Sequence, residues 1–206
     1  MLEVIVLAAG RGTRMRSSLP KVLHALASKP MIHHVLDTAR ALEASRIHVV
    51  VGHGAELVSS AIAADDVTTY VQSEQLGTGH AALAAAPHCQ PESTVIVLFG
   101  DVPLLSSATL SRVIKAAESG PVLLAASVKD PHGYGRVIRD SNGAFERVVE
   151  QKDANPEELS VCEVNTGVLA AKSQNLKSWL ARVTNDNAPL SSTLMHLLMM
   201  PSSMSY

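Results

Sequence analysis

The residues best equipped for chemistry stand near the start of the chain, in Leu7-Ala8-Ala9-Gly10-Arg11-Gly12-Thr13-Arg14-Met15-Arg16 and the following Pro20-Lys21. Small residues let a backbone approach a ligand closely. Gly10 and Gly12 permit positive φ, so consecutive amides can point into one concavity and hold anionic oxygen. Arg11, Arg14 and Arg16 add planar guanidinium forks suited to phosphate, and Lys21 a compact point charge. A lone Gly-x-Gly is equally well a surface turn. Three arginines and a lysine within 11 positions, directly after an apolar run, favour an anion site.

Two further stretches supply different chemistry. In Gln72-Ser73-Glu74-Gln75-Leu76-Gly77-Thr78-Gly79-His80, the Gln72 amide can both donate to and accept from a nucleobase edge. Gly77 and Thr78 offer backbone contacts, although Thr78 alone is equally an ordinary helix cap. In Phe99-Gly100-Asp101-Val102-Pro103, an acid just past an apolar run is well placed to hold Mg²⁺ over a phosphate, or simply to shape a turn. Gly135, Glu150 and Asn165 are weaker singly: a tight turn, a solvated strand-end acid and a turn-forming amide. The nine histidines carry no metal-ligand spacing, and His33 and His34 are adjacent, on different sides of a helix. For His48, His53, His80, His88 and His132 no Cys or acidic partner stands at ligand spacing, so no zinc site is expected.

The elements that must position these groups alternate. Val4–Leu7, Ile47–Val51, Thr68–Val71, Thr94–Leu98, Val122–Val128 and Val164–Ala170 read as strands. Met31–Ala44, Glu56–Ala63, an Ala-rich run from Thr78 to about Pro87, a stretch with Leu110, Val113, Ile114 and Ala117 on one face, and Leu176–Val183 read as helices. That alternation implies an α/β domain of Rossmann-like type, a mostly parallel, mixed sheet covered by helices on both faces. Gly135–Arg139 and Phe145–Glu150 flank Asp140-Ser141-Asn142-Gly143, whose Asn-Gly pair predicts a tight hairpin, inserted as a flap or a small lateral sheet.

The loop lacks Gly-x-x-x-x-Gly-Lys-Ser/Thr and the third glycine of the dinucleotide fingerprint, which removes both familiar phosphate loops. It resembles instead the signature of the sugar-nucleotide pyrophosphorylases, Leu-Ala-Ala-Gly-x-Gly-Thr-Arg-Met followed by Leu-Pro-Lys, all present between positions 7 and 21. The run from Gln72 to Ala81 resembles the uracil-reading segment of the N-acetylglucosamine-1-phosphate uridylyltransferases, the pyrophosphorylase part of a bifunctional bacterial enzyme. Gly133-Tyr134-Gly135-Arg136, Val149-Glu150 and Glu163-Val164-Asn165-Thr166-Gly167 look like that family's acetamidohexose-binding segments.

The resemblance, over about residues 2–188, implies transfer of a uridylyl group from UTP to N-acetylglucosamine 1-phosphate in the cytoplasm. It implies Arg14, Lys21 and Asp101 as catalytic groups, with Asp101 as an Mg²⁺ ligand. Leu7, Ala8, Ala9, Gly10, Lys21, Gln72, Gly77, Thr78, Phe99, Gly100, Asp101, Gly135, Glu150 and Asn165 would bind the substrates. A homo-oligomer stays open for the full-length family. Another sugar-phosphate nucleotidyltransferase on the same fold, or a catalytically impaired binding remnant, are the alternatives.

After Asn187-Ala188 the resemblance stops. The family continues with Gly-Glu-Tyr-Tyr, an asparagine completing the magnesium site and a β-helix acetyltransferase domain; here residues 189–206 form an atypical Ser/Met-rich tail. The expectation is an incomplete domain that binds uridine nucleotides better than it turns them over.

Composition fits this reading. Of 206 residues, 47% are hydrophobic, enough for a substantial core, and 17 basic against 19 acidic side chains give a net charge of −2. Nothing in that balance attracts nucleic acid or an anionic membrane, so an anionic ligand needs a local device. No run approaches the roughly 20 apolar residues of a membrane helix, and no basic leader or cleavage-like segment marks a signal peptide. Cys89 and Cys162, 73 positions apart, read as reduced thiols.

Overall fold

The computed structural model describes residues 1–12, 15–74 and 76–181. Arg14 and the 189–206 tail therefore lie outside the described residues. The chain runs β1 (Leu2–Ala8), β2 (Ala25–Leu26), β3 (Lys29–Pro30), α1 (Met31–Ala41), β4 (Arg46–Val51), α2 (Ala55–Ala61), β5 (Val67–Val71) and α3 (Thr78–Ala85). It continues with β6 (Thr94–Phe99), α4 (Ser107–Ala116), β7 (Val122–Ser127), β8 (Arg136–Arg139), β9 (Phe145–Val149), α5 (Pro156–Leu159), β10 (Glu163–Lys172) and α6 (Ser173–Leu180).

An eight-stranded sheet has the order β5-β4-β1-β6-β10-β8-β9, with β7 also paired to β10. β5, β4, β1 and β6 are parallel to their neighbours. β10 runs against β6, β7 and β8, which therefore share one direction, and β9 runs against β8. The sheet is thus mixed and mostly parallel, as the alternation of elements predicts.

β1 shows why both faces are covered. Ile5, Leu7 and Ala9 pack with the alanines of α3 and with Leu176, Trp179 and Leu180 of α6. Val4, Val6 and Ala8 pack on the opposite face with Ile32, Val35 and Leu36 of α1, Val58 of α2 and Leu110 of α4. A period of two along a strand sends alternate side chains to opposite faces, and each fully buried Val, Ile or Leu contributes about 1.5–3 kcal/mol. The Ala-rich face of α3 lets that helix lie close to β1 and β4, at the edge of the site.

The predicted hairpin forms no separate sheet. β8 and β9 extend the main sheet through the pairing of Arg136 with Val164, and Arg139 clamps Glu163 at 2.6 and 2.8 Å through two guanidinium nitrogens. Its turn differs from a two-residue Asn-Gly turn, because only Gly143 takes positive φ. Asp140 accepts from the amides of Asn142 and Ala144, and a register shift follows Ile138. This matches a longer loop closed by one left-handed residue.

Candidate functional site

The strand order reverses at β1, with β4 on one side and β6 on the other. Loops leaving the carboxyl ends of such strands diverge and leave a crevice between them. Here the crevice is a cleft of about 530 Å³ lined by Leu7, Ala8, Ala9, Gly10, Lys21, Gln72, Gly77, Thr78, Phe99 and Asp101, together with Gly12, Met15, Val22 and Ala81. Ten of the residues expected to bind substrate therefore share one cavity although they come from three distant segments.

Lys21 stands opposite Asp101, with Nζ 2.5 Å from Oδ2 and both side chains partly exposed. The short approach depends on Gly12. This residue has φ +59°, and a β-carbon there would lie 2.7 Å from Cβ of Lys21. Gly10, by contrast, is not among the positive-φ glycines, and a β-carbon on it would meet none of the described residues within 4 Å. Of the two glycines, only Gly12 therefore takes the left-handed conformation.

The Gly100 amide donates to Leu7 O at 2.9 Å, which stitches the end of β6 to β1, and Gly100 is not part of the lining. Gly135, Glu150 and Asn165 are also absent from the lining and form a neighbouring group. Asn165 N donates to Gly135 O at 2.9 Å, while Asn165 Oδ1 accepts from Gly167 N at 2.8 Å. The Glu150 carboxylate lies beside Gly135, 3.5 Å from where a β-carbon would be. Gly167 links this group to the cleft: it holds φ +79° in the bulge of β10, and any side chain would collide with the ring of Phe99.

The chain matches the family described as the MobA-like NTP transferase domain over residues 4–193. The chain belongs to this family. The NTP transferase domain is 54% identical over 189 residues to the bifunctional protein GlmU of Saccharophagus degradans, covering 91% of this chain and 42% of that protein. The counterpart from Cellvibrio japonicus is 50% identical over the same share. The chain therefore spans less than half the length of these curated relatives. Among solved structures, a UDP-glucose pyrophosphorylase complexed with UDP-glucose superimposes with TM-score 0.75 at 15% identity, covering 95% of this chain and 86% of the other. HddC from Yersinia pseudotuberculosis superimposes with TM-score 0.68 at 19% identity, covering 87% and 80%. These two likenesses establish the fold.

Sequence reasoning about this NTP transferase domain missed some of the lining. Val22 carried no expectation, and Ala81 and Met15 lay inside the quoted motifs without a role of their own. It also missed a buried cluster at the other end of the strands. His48 Nε2 lies 3.4 Å from Glu3 Oε1, and its Nδ1 lies 3.0 Å from the Tyr70 hydroxyl, with Cys89 beside them. The sequence offered His48 no acidic or thiol partner because Glu3 is 45 positions away. The cluster closes through hydrogen bonds: Glu3 Oε2 accepts from Gln90 N and Ser93 Oγ, each at 2.7 Å. Burial lowers the His48 pKa against the pull of Glu3, and burial with the Glu3 charge pushes the Cys89 thiol up to about 12. A buried thiol held protonated is a poor nucleophile.

Proposed function

We propose that the chain transfers a uridylyl group from UTP to N-acetylglucosamine 1-phosphate, giving UDP-N-acetylglucosamine and pyrophosphate. One observation carries this reading: the glycine-rich loop, the Gln72–Thr78 segment and Asp101 face one cleft, beside a polar group containing Glu150 and Asn165. The GlmU likeness supports the choice of nucleotide and sugar.

The sugar phosphate oxygen attacks the α-phosphorus in line and pyrophosphate departs. No covalent enzyme intermediate is needed, so positioning and charge neutralisation supply most of the acceleration. The backbone from Leu7 to Gly10 carries the nucleotide, and Gln72, Gly77 and Thr78 meet the base. Lys21 and Asp101 neutralise each other in the free protein. A triphosphate in the cleft draws the Lys21 ammonium onto its oxygens and releases the carboxylate. That freed, partly exposed oxygen donor suits Mg²⁺, which when bound would neutralise charge on the phosphates. Arg14, by its place in the loop sequence, is assigned to the leaving pyrophosphate. Gly135, Glu150 and Asn165 take the sugar hydroxyl and acetamide groups, and Phe99 and Gly100 complete the wall and its support.

Residues 2–188 would form the transferase domain and 189–206 a tail. We place the reaction in the cytoplasm, with small-molecule partners and neither nucleic acid nor membrane. Among the described residues no helix is long and apolar enough to cross a membrane, and both cysteines are free.

The test is calorimetric titration with UTP and CTP, with and without Mg²⁺, beside pyrophosphate release with N-acetylglucosamine 1-phosphate or glucose 1-phosphate. Tighter UTP binding and release that requires the acetamido sugar are expected. Release with glucose 1-phosphate alone assigns another sugar. UTP binding without release under any condition leaves a nucleotide-binding remnant.

A further inference from the structure

We propose that His80 is a positioning residue that makes the cleft read uracil rather than cytosine, by fixing which end of the Gln72 amide faces the base; this rests on the uridylyl reading above. Gln72 follows β5, is only 6% exposed and lines the cleft. Its Nε2 lies 3.3 Å from Gly77 O and 3.0 Å from His80 Nδ1. An amide can be turned end for end with little change in shape, so the neighbours must decide its direction. Gly77 O shows which way it points, because a carbonyl only accepts and a turned amide would set two oxygens against each other, and the shorter contact to His80 holds it there.

Both Gln72 amide hydrogens are then committed, one to Gly77 O and one to His80 Nδ1. It follows that Nδ1 carries the lone pair and the His80 proton resides on Nε2. His80 is on the first turn of α3 and is absent from the cleft lining, so it acts on the base only through Gln72. What Gln72 offers a base is its oxygen. Uracil presents an N–H at N3, which that oxygen accepts. Cytosine presents a lone pair at N3, which it opposes. A polar site built for one donor rejects the analogue lacking it, because a buried acceptor is left facing another acceptor.

Without His80 the amide retains only the longer bond to Gly77 and gains freedom to turn. With an acceptor restored at the same place, the orientation returns. His80→Asn does this, since its side-chain oxygen can stand near the former Nδ1, whereas His80→Leu fills the space without accepting.

Affinities for UTP and CTP are measured by calorimetry on the full chain, the unaltered protein and both variants, with thermal unfolding to verify folding. The unaltered protein and His80→Asn are expected to prefer UTP alike, within about twofold. His80→Leu is expected to lose about tenfold of that preference, on the order of one lost buried hydrogen bond. Nitrogen-15 NMR of the unaltered protein is expected to show His80 protonated at Nε2. Equal affinity of the unaltered protein for UTP and CTP sinks the uridylyl reading and the role of His80 with it. A UTP preference that survives His80→Leu overturns the role of His80 alone. If His80→Leu does not fold, the NMR decides, and a proton on Nδ1 overturns the proposal.

Discussion

The two ends of β1 carry polar groups of similar kind and opposite consequence. At the amino end, Glu3 meets His48 and Ser93, buried beside Cys89, and accepts from the amide of exposed Gln90. At the carboxyl end, Lys21 and Asp101 meet across the cleft, both partly exposed, with the Gly10 backbone in its lining. The first set resembles a catalytic or metal constellation by residue type, yet its polar atoms satisfy one another and the Glu3, His48 and Ser93 side chains are buried. The second set is chemically plainer but accessible, with charges that a ligand can separate. Access and the ability to exchange partners separate a site from a structural network more reliably than residue type does.

The largest effect expected from this contrast is at the open end. Asp101→Ala should lower turnover by about 10²–10³-fold, the scale for removing one group that stabilises developing charge. The fold should be unaffected, because the carboxylate is partly exposed and supports no core packing. Pyrophosphate release and thermal unfolding measured together check this. A variant that unfolds but keeps its specific activity would move Asp101 into the structural class.

Glu3→Ala should behave in the opposite way. It strips His48, Ser93 and the Gln90 amide of one shared acceptor, and each buried orphan costs about 1–3 kcal/mol. Some of this is recovered by rearrangement, so a net loss of about 3 kcal/mol by urea unfolding is expected, with UTP affinity held. Loss of UTP binding without loss of stability would erase the distinction between the two ends.

How much of this was legible in the sequence depends on the range of the interactions. β1 and β6 were visible because a strand buried on both faces is a continuous apolar run. α4 was visible from its period and is capped by Ser106, whose hydroxyl accepts from Thr109 N. The cleft lining was visible because its polar residues sit in contiguous segments. The turn of β2 and β3 was not, since Ala27 and Ser28 take positive φ where turn chemistry would call for Asn or Gly. The capping box of α5, Asn155 with Glu158, was a readable local signal that the strand–helix rhythm overshadowed. The Glu3–His48 contact had no local signal, because only the parallel pairing of β1 with β4 creates it.

A smaller effect probes the division inside the site itself. Glu150→Ala and Asn165→Ala should each weaken N-acetylglucosamine 1-phosphate by about tenfold, on the order of one good hydrogen bond, and leave UTP nearly unchanged. Asn165 carries a second burden, because its side chain also accepts from the Gly167 amide beside Phe99. Its variant should therefore lose some stability as well as sugar affinity. Equal loss of both substrates in both variants would make these residues supports of the fold.

The smallest effect concerns the buried end and pH. Burial holds the His48 pKa below 6.5, with the Glu3 bond opposing it only in part and Arg46 and His88 adding to the depression. Between the folded value and 6.5 the unfolded chain binds more protons than the native one, so stability rises with pH through that window. It is lost as pH falls below about 6.5, until the native histidine also protonates. Glu163 and Asp66 titrate in a lower window: hydrogen bonds from Arg139 and Arg40 depress their pKa values below 4.5 and 3.8, so their contributions are lost only in stronger acid. Partly buried His33 is also depressed, by burial and then by Lys29, and has the same sign, which makes His33→Gln the control. Urea unfolding at pH 5.5 and 7.5, settings chosen to bracket the roughly 6.5 reference value for histidine, should show a fall in stability that His48→Gln reduces and His33→Gln largely leaves. A fall of equal size in the His48 variant would mean that the buried histidine is not the group that senses pH.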